Sequence, residues 1–128
     1  LRGFQRTLQT QGKQGAKFAD LLFALAEEAP DIRFRFTSPH PKNFPLNLLQ
    51  LIAQTPNICK HIHLPAQSGS TSMLERMRRN HSRESYLELV DRIRTEIKGV
   101  SISTDMIVGF CDETEQEFRD TVSLVEQV

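Results

Sequence analysis

Three features are scarce or missing in this sequence, and each absence excludes a class of protein. Cys59 and Cys111 are the only cysteines and form no CxxC pair, so we expect neither a disulfide framework nor a complete thiolate metal site. The 16 basic and 16 acidic residues cancel, which argues against nucleic-acid binding through bulk charge alone. No apolar run approaches the roughly 20 residues of a bilayer helix, so no membrane association is expected.

The chain does contain a regular alternation of strand and helix patterns, and its 128 residues are the size of one ordinary domain. Strands are predicted at 32–36, 60–68 and 103–108, where apolar or alternating runs end in turn residues. Helices are predicted at 18–29, after Pro45, from Ser72 to Arg79, from near Ser82 to Ile97, and after Thr114. Ser72 with Glu75 and Thr114 with Glu117 are predicted capping boxes at two of these starts. Residues 1–16 hold no acid and no clear period, so we expect a poorly structured leader or loop before a domain at 17–128.

Strand and helix alternate three times, with connections too long for hairpins. The economical architecture is an α/β fold in which three consecutive βα units form a parallel sheet through right-handed crossovers. Because three strands cannot close a barrel, the sheet is either a small open one or a contiguous part of a larger α/β domain. A flavodoxin-like or receiver-like sheet is a weaker alternative, because no phosphate loop or acidic cluster stands out.

Polar residues follow each predicted strand, at the end where parallel α/β folds gather their ligands. They are Ser38 and His40, then Gln67 and Ser68, then Asp105 and Gly109, with Arg79 near the end of a short helix. Asp105 precedes the apolar residues 106–108. A carboxylate inside such a strand needs a partner, because burying it alone is costly.

The chemistry of this set suits a nucleoside that carries an amino acid. Carboxylate and carboxamide groups hydrogen-bond ribose hydroxyls, and an arginine grips a carboxylate through two parallel hydrogen bonds. Gly109 has no β-carbon and would let a flat base approach the backbone.

Each of these residues also has a purely structural interpretation. Asp105 is a candidate strand-end cap or partner of a structural arginine, and Gln67 with Ser68 is a candidate turn. Arg79 belongs to a basic cluster that either faces the phosphates of a nucleic acid or is a solvated helix face. The other members of this cluster are Arg76, Arg78, His81 and Arg83.

Two alternating patterns complete the candidates. Cys59, His61 and His63 mimic part of a zinc site, but side chains on one extended strand splay apart, so we predict no metal site there. Arg33 and Arg35 alternate with aromatic residues, so one sheet face is expected to be polar, either in solvent or in a wet barrel cavity.

Four segments resemble one known family. RFTSPHP, HIHLPAQSGS, LERMRRNHSRESY and STDMIVGFCDETEQEF, in this order and spacing, resemble the radical S-adenosylmethionine methylthiotransferases of the MiaB type. The likeness covers about residues 17–128, and Cys111 with the phrase NICKHIHLPAQSGS is closer to the animal branch than to bacterial members. The resemblance implies a radical SAM core, a TIM barrel of which this chain is an incomplete part.

The resemblance also implies an activity and its cofactors. Family members transfer a methylthio group to isopentenyl-adenosine beside the tRNA anticodon, and relatives act on threonylcarbamoyl-adenosine or on a ribosomal protein. The reaction begins with one-electron reduction of S-adenosylmethionine at a 4Fe-4S cluster, and the adenosyl radical abstracts hydrogen. By this resemblance Gln67 and Asp105 hold the ribose with Ser68 beside them, Arg79 holds the methionine carboxylate, and Gly109 meets the adenine. The expected location is mitochondrial or cytoplasmic.

The sequence departs from the family in several places. The cluster cysteines of the CxxxCxxC motif have no counterpart, and without thiolates there is no cluster. Asp112 replaces the glycine usual in the family's GET turn, and Asp tolerates a positive φ less well than Gly. We therefore interpret the chain as a part of a larger enzyme that is inactive by itself. The alternative is a non-catalytic interaction module, a truncated isoform that binds a kinase activator through an exposed sheet edge and helices.

Overall fold

The computed structural model describes residues 17–37 and 44–128 and has the predicted α/β fold with a parallel sheet. Its helices are α1 (Phe18–Glu28), α2 (Leu46–Gln54), α3 (Thr71–Arg76), α4 (Arg83–Glu96) and α5 (Glu115–Gln127). Its strands are β1 (His61–His63) and β2 (Ser101–Ser103). The predicted leader at 1–16 lies outside the described residues, as do Ser38 and His40. None of the described helices combines the length and the apolar character needed to cross a bilayer.

The sheet consists of parallel segments in the predicted order. β1 and β2 pair in a register that sets Ile62 opposite Ile102. Two isolated bridges extend this pairing: Phe34 pairs with Ile58, and Gln67 pairs with Met106 beyond the ends of the two strands. Three βα units of a partial TIM barrel have this arrangement, because right-handed crossovers bring successive strands side by side.

The strands are shorter than predicted, and Pro65 explains one interruption. The predicted strand 60–68 pairs regularly only to Leu64, whose N–H donates to the Ser103 carbonyl oxygen at 2.7 Å. Proline has no N–H to add to the ladder, so the pairing stops there and resumes at Gln67. The predicted strand 32–36 is likewise reduced to one bridge, at Phe34.

The core lies between the sheet and the helices. β1 and the residues after it turn Ile62, Leu64 and Ala66 towards the helices, and all three are fully buried. They belong to one cluster with apolar residues of α2 and α4, and α2 packs against both α1 and α4. Side chains alternate along a strand, so His61 and His63 lie on the opposite, half-buried face.

Two helices bury a different face from the one their apolar residues indicate. α5 buries Glu117, Thr121 and Leu124, whereas its apolar residues Phe118, Val122 and Val125 are exposed. α1 buries two alanines and Leu22, and it exposes Phe18, Leu21, Phe23 and Leu25. Both helices are apolar on more than one side, so periodicity alone does not select the buried face.

The helix starts agree with the predicted caps, with one correction. Thr114 caps α5 in a reciprocal capping box with Glu117, as predicted. α4 begins next to Ser82, as predicted, and the structure adds that the Ser82 side chain caps it. The cap of α3 is Ser70, whose Oγ accepts from the Met73 N–H, and not Ser72. The Ser72 hydroxyl instead donates to Glu117 Oε1 at 2.6 Å, so tertiary contact with α5 redirects it.

A close backbone contact at Gly69 fixes how α5 lies against the chain after β1. A β-carbon added to Gly69 would lie 2.3 Å from the Asp120 carbonyl oxygen and 2.6 Å from the Thr121 Cα. The Gly69 N–H also donates to Thr121 Oγ1 at 3.0 Å. Both obstructing atoms belong to the backbone and cannot rotate away, so only glycine allows this approach.

We expect Gly69→Ala to destabilise the protein by about 3 kcal/mol or more, because α5 must move away from the chain after β1. Urea unfolding followed by circular dichroism measures this change. The matched control is Gly99→Ala: Gly99 has φ of +74° but open space around it, so it reports the backbone term alone. An equal loss in both variants would contradict the close contact.

Candidate functional site

A β-bulge joins the carboxyl ends of the two strands and brings Gln67 beside Asp105. His63 pairs with Ser103 and Gln67 pairs with Met106, so residues 64–66, three in number, oppose residues 104 and 105, two in number. The Gln67 N–H donates to the Asp105 carbonyl oxygen at 2.9 Å, and the Ile107 N–H donates to the Gln67 carbonyl oxygen at 2.8 Å. Bulges of this kind re-aim side chains next to functional sites.

Two polar side chains hold the bulge in place. The Ala66 N–H, which the extra residue displaces from the ladder, donates to Thr104 Oγ1 at 2.9 Å. The Tyr86 hydroxyl, from α4, donates to the Leu64 carbonyl oxygen at 2.9 Å and lies 3.3 Å from Thr104 Oγ1. Burial raises the pKa of Tyr86, so its hydroxyl remains a donor. The strand ends are therefore anchored from the helix side.

Asp105 is not buried in a strand, which corrects the sequence-based expectation. Its side chain is 67% exposed, and its Oδ2 lies 3.3 Å from Nε2 of His63. The apolar residues after it do not form a continued strand, because β2 ends at Ser103 and only one bridge follows. The partner of Asp105 is thus a histidine on the neighbouring strand, not an arginine.

Gly109 presents an open backbone surface close to Asp105 in the chain. Its φ is +76°, and a β-carbon built there would meet no atom within 4 Å. Its N–H donates to Glu113 Oε2 at 2.5 Å, so the glutamate carboxylate closes the loop 109–113. This geometry leaves room for a planar group over the Gly109 backbone.

Ser68 does not fit the predicted role of a cofactor contact. It is 1% exposed, and its hydroxyl lies 3.1 Å from Thr121 Oγ1 of α5. Ser68 Oγ also accepts a hydrogen bond from the Ser70 N–H at 3.1 Å. Ser68 therefore fastens the chain after β1 to α5, and it is a structural residue in this fold.

Arg79 lies on the exposed side of the turn that follows α3. The Arg78 and Arg79 N–H groups donate to the carbonyl oxygens of Glu75 and Leu74, which is a Schellman motif with Arg78 in the left-handed region at φ +55°. Two residues later, His81 Nε2 lies 3.2 Å from the Ala66 carbonyl oxygen. This contact holds the segment after α3 against the end of β1, next to Gln67.

The basic cluster around Arg79 is partly used within the fold. Arg83 donates to the carbonyl oxygens of Gly69 and Asp120 and also bonds two polar side chains of α5. Arg76 pairs with Glu117 at 2.7 Å and donates to the Asp112 carbonyl oxygen at 3.2 Å. Arg78 and Arg79 are exposed. The cluster is therefore not a single phosphate-binding patch.

Glu117 is an acidic residue on the buried face of α5 that sequence reasoning assigned only to a cap. The Arg76 guanidinium, helped by the Ser72 hydroxyl and the Thr114 N–H, holds the pKa of Glu117 well below its usual range. The Glu117 hydrogen bond in turn raises the pKa of Arg76. This ion pair joins α3 to the start of α5 and, through Asp112, to the loop after Gly109.

Within residues 17–37 and 44–128, no three His, Cys, Asp or Glu side chains converge on a point where a metal ion would bind. His61 and His63 bond to the Ser103 hydroxyl instead, at 3.1 and 3.0 Å. Arg33 and Arg35 are exposed, which agrees with a polar sheet face at that edge.

Sequence reasoning missed the bulge, His63 and Glu113. On sequence grounds, His63 was considered only as part of a zinc-like pattern. Its position two residues before Pro65, where the strand ends, indicates that His63 lies on the polar face of the sheet. The bulge had a weaker signal in Pro65, which cannot continue a ladder. Glu113 gave no sign before the loop conformation was known.

The fold and its strand ends define a class: a parallel α/β protein with polar residues at the carboxyl ends of its strands, where such folds bind their ligands. The radical SAM superfamily model matches residues 6–125, and the chain belongs to this superfamily. The comparisons thus confirm the predicted resemblance.

Curated relatives carry names of tRNA-modifying enzymes. The human mitochondrial tRNA methylthiotransferase CDK5RAP1 is 55% identical over 127 residues, which cover 99% of this chain and 21% of the relative. A CDK5RAP1-like protein of Caenorhabditis elegans is 53% identical over 96% of this chain and 22% of its own length. The tRNA-2-methylthio-N(6)-dimethylallyladenosine synthase of Chlorobium luteolum is 51% identical over 89% of this chain and 26% of its own length. The chain thus spans about a quarter or less of each relative.

The residues at the strand ends fit the nucleoside part of S-adenosylmethionine. Asp105 offers exposed acceptor oxygens, Gln67 is joined to it through the backbone and carries a carboxamide, and Gly109 offers an open backbone face. They do not supply an iron–sulfur cluster, because the only cysteines are Cys59 and Cys111.

Asp112 has φ of +60°, so the position where the family usually has glycine does require the left-handed conformation. We expect Asp112→Gly to stabilise the protein by about 0.5–1 kcal/mol, because glycine adopts this conformation without strain. The Arg76 hydrogen bond is retained, since it goes to the backbone carbonyl. Urea unfolding at neutral pH measures the difference.

The control for this prediction is Asp91→Gly on the exposed side of α4, which removes the same carboxylate at a helical φ. That variant should lose about 1 kcal/mol. A loss of stability in Asp112→Gly as well would show that the aspartate side chain, and not the backbone, dominates at this turn.

Proposed function

We propose that the complete protein is a tRNA methylthiotransferase that modifies isopentenyl-adenosine beside the anticodon, and that this chain carries the nucleoside-binding part of its S-adenosylmethionine site. One observation carries the proposal. The bulge joins the backbone of Gln67 to that of Asp105, which precedes the open Gly109 backbone in the chain, and the chain is 55% identical to a named methylthiotransferase.

Each proposed contact follows from the chemistry of the side chain. Asp105 accepts hydrogen bonds from the ribose hydroxyls, and the Gln67 amide adds a donor and an acceptor at the same edge. Arg79, exposed beyond α3, grips the methionine carboxylate through two N–H groups. The adenine ring lies over the Gly109 backbone, where no β-carbon obstructs it.

The protein and its cofactors have separate roles in the proposed reaction. When bound at a reduced 4Fe-4S cluster, S-adenosylmethionine supplies a radical, and the residues of this chain bind and orient the nucleoside. The chain has no three closely spaced cysteines to ligate the cluster. We therefore propose that the 128-residue chain binds the cofactor weakly and does not cleave it.

The partner of the complete protein is proposed to be tRNA, in the mitochondrion. The human, mouse and rat relatives carry both words in their names. Arg78 and Arg79 are exposed beyond α3, whereas the guanidinium groups of Arg76 and Arg83 are bonded to residues of α5 or to the chain after β1. Arg78 is the side chain of this pair that the cofactor does not require, and it is suited to an RNA phosphate.

The alternative, a non-catalytic module that binds a kinase activator, would use apolar surface. The exposed stripe Phe118, Val122 and Val125 on α5 is the feature that favours it. A cofactor titration separates the two functions, because an interaction module has no reason to bind a sulfonium nucleoside.

We expect isothermal titration calorimetry to detect S-adenosylmethionine binding to the chain, and Asp105→Ala and Arg79→Ala to weaken it about tenfold or more each. Each variant removes a charge-assisted hydrogen bond to the ligand, which contributes about 1.5–3 kcal/mol. The matched controls are Asp91→Ala and Arg92→Ala, which remove exposed charges from α4. Unchanged affinity in both site variants would remove the site assignment.

The substrate is tested on the complete protein with its clusters. We expect mass spectrometry to detect a methylthio product on tRNA that contains isopentenyl-adenosine, and none on tRNA that contains threonylcarbamoyl-adenosine. A product on the second tRNA alone would assign the protein to a different branch of the family.

A further inference from the structure

Four side chains lie in series along the polar face of β1 and β2, joined by two hydrogen bonds and one close contact. His61 Nε2 lies 3.1 Å from Ser103 Oγ, and Ser103 Oγ lies 3.0 Å from His63 Nδ1. His63 Nε2 then lies 3.3 Å from Asp105 Oδ2. The series begins in the half-buried part of the sheet and ends at the exposed carboxylate of the proposed ribose contact.

The acceptor at one end fixes the direction of every bond in the series. A carboxylate only accepts, so a hydrogen bond across the 3.3 Å between His63 Nε2 and Asp105 Oδ2 requires the proton on Nε2. Neutral His63 then has its lone pair on Nδ1 and accepts from the Ser103 hydroxyl. Because the Ser103 hydroxyl donates its only proton to His63, its oxygen accepts from Nε2 of His61.

We propose that His63 is a positioning residue that holds the Asp105 carboxylate in the orientation that receives a ribose diol, and that Ser103 and His61 set the tautomer of His63. The proposal rests on the assignment of Asp105 as a nucleoside contact. It adds His63 to the proposed nucleoside site, and it gives a physical reason for the tautomer of the His63 imidazole.

The exposure of Asp105 explains why it needs such a partner. Its backbone is fixed by the Gln67 hydrogen bond, but its side chain is 67% exposed and would otherwise sample several rotamers. His63 engages Oδ2, which leaves Oδ1 to accept from a ligand hydroxyl. A side chain that is ordered before binding loses less freedom when the ligand arrives, which tightens binding.

The location of His63 supports positioning over direct contact. Its side chain is 27% exposed, and it belongs to β1, whereas Asp105 follows the neighbouring strand β2. Both ring nitrogens have partners in the series. The alternation of His61 and His63, which resembles part of a metal site, thus places two imidazoles on one hydroxyl instead.

A double-mutant cycle on the 128-residue chain tests this inference, with S-adenosylmethionine affinity measured by calorimetry. His63→Ala should weaken binding about five- to tenfold, because Asp105 loses its orientation. His63→Gln keeps an N–H donor at the position of Nε2 and should recover most of the affinity. In an Asp105→Asn background, His63→Ala should have no further effect.

A second measurement follows the series without any ligand. Nitrogen-15 NMR of labelled histidine should find His63 protonated at Nε2 and bare at Nδ1 at pH 8. Ser103→Ala should change this tautomer balance while leaving the circular dichroism spectrum unchanged, because it removes only the hydroxyl that Nδ1 accepts from. An Nδ1-protonated His63 in the unaltered chain would overturn the proposed direction of the series.

The outcomes distinguish this inference from the proposed function. If Asp105→Asn does not weaken binding, or the chain does not bind S-adenosylmethionine, the assignment of the cofactor site fails. If Asp105→Asn weakens binding but His63→Ala does not, the site stands and the positioning role of His63 is refuted. An additive loss in the double variant would refute action through Asp105 as well.

Discussion

The pairing between Gln67 and residues 105–107 is the constraint on which the site depends. Pro65 removes a donor from the ladder, the Ala66 N–H turns to Thr104, and the chain resumes pairing one residue out of register. Without this bulge, the regular alternation of side chains along each strand would determine on which face of the sheet Gln67 and Asp105 lie. With it, the backbones of Gln67 and Asp105 are hydrogen-bonded to each other at the edge where α/β folds bind ligands.

Several contacts with α5 keep the carboxyl ends of the strands in place. Gly69 lies against the α5 backbone, Ser68 bonds Thr121, and the Arg76–Glu117 pair joins α3 to the start of the helix. These contacts are polar or depend on glycine, which explains why α5 turns Glu117 and Thr121 inwards and leaves its apolar stripe outside. The contacts that hold α5 against the chain are therefore also the contacts that keep the candidate site in place.

Backbone strain is concentrated in the segments around the candidate site. Gln67, Arg78 and Asp112 have positive φ, as does Gly109, and all four lie in loops that follow β1, α3 or β2. Left-handed backbone at a residue with a side chain costs about 1 kcal/mol, and such positions cluster at ligand sites when the surrounding contacts enforce them. The Schellman motif enforces Arg78, and the Arg76 hydrogen bond to its carbonyl steadies Asp112.

The sequence by itself determined the α/β class, the five described helices to within a few residues, and the cap at Thr114, because propensity, periodicity and capping are local. It also placed Gln67, Asp105 and Gly109 at strand ends. Only the tertiary structure decided that Ser68 is buried, that Ser70 and not Ser72 caps α3, and that His63 is the partner of Asp105. Each of these depends on which atoms of distant segments come within hydrogen-bond distance, and a one-residue bulge or a single glycine contact changes that outcome without altering any local pattern.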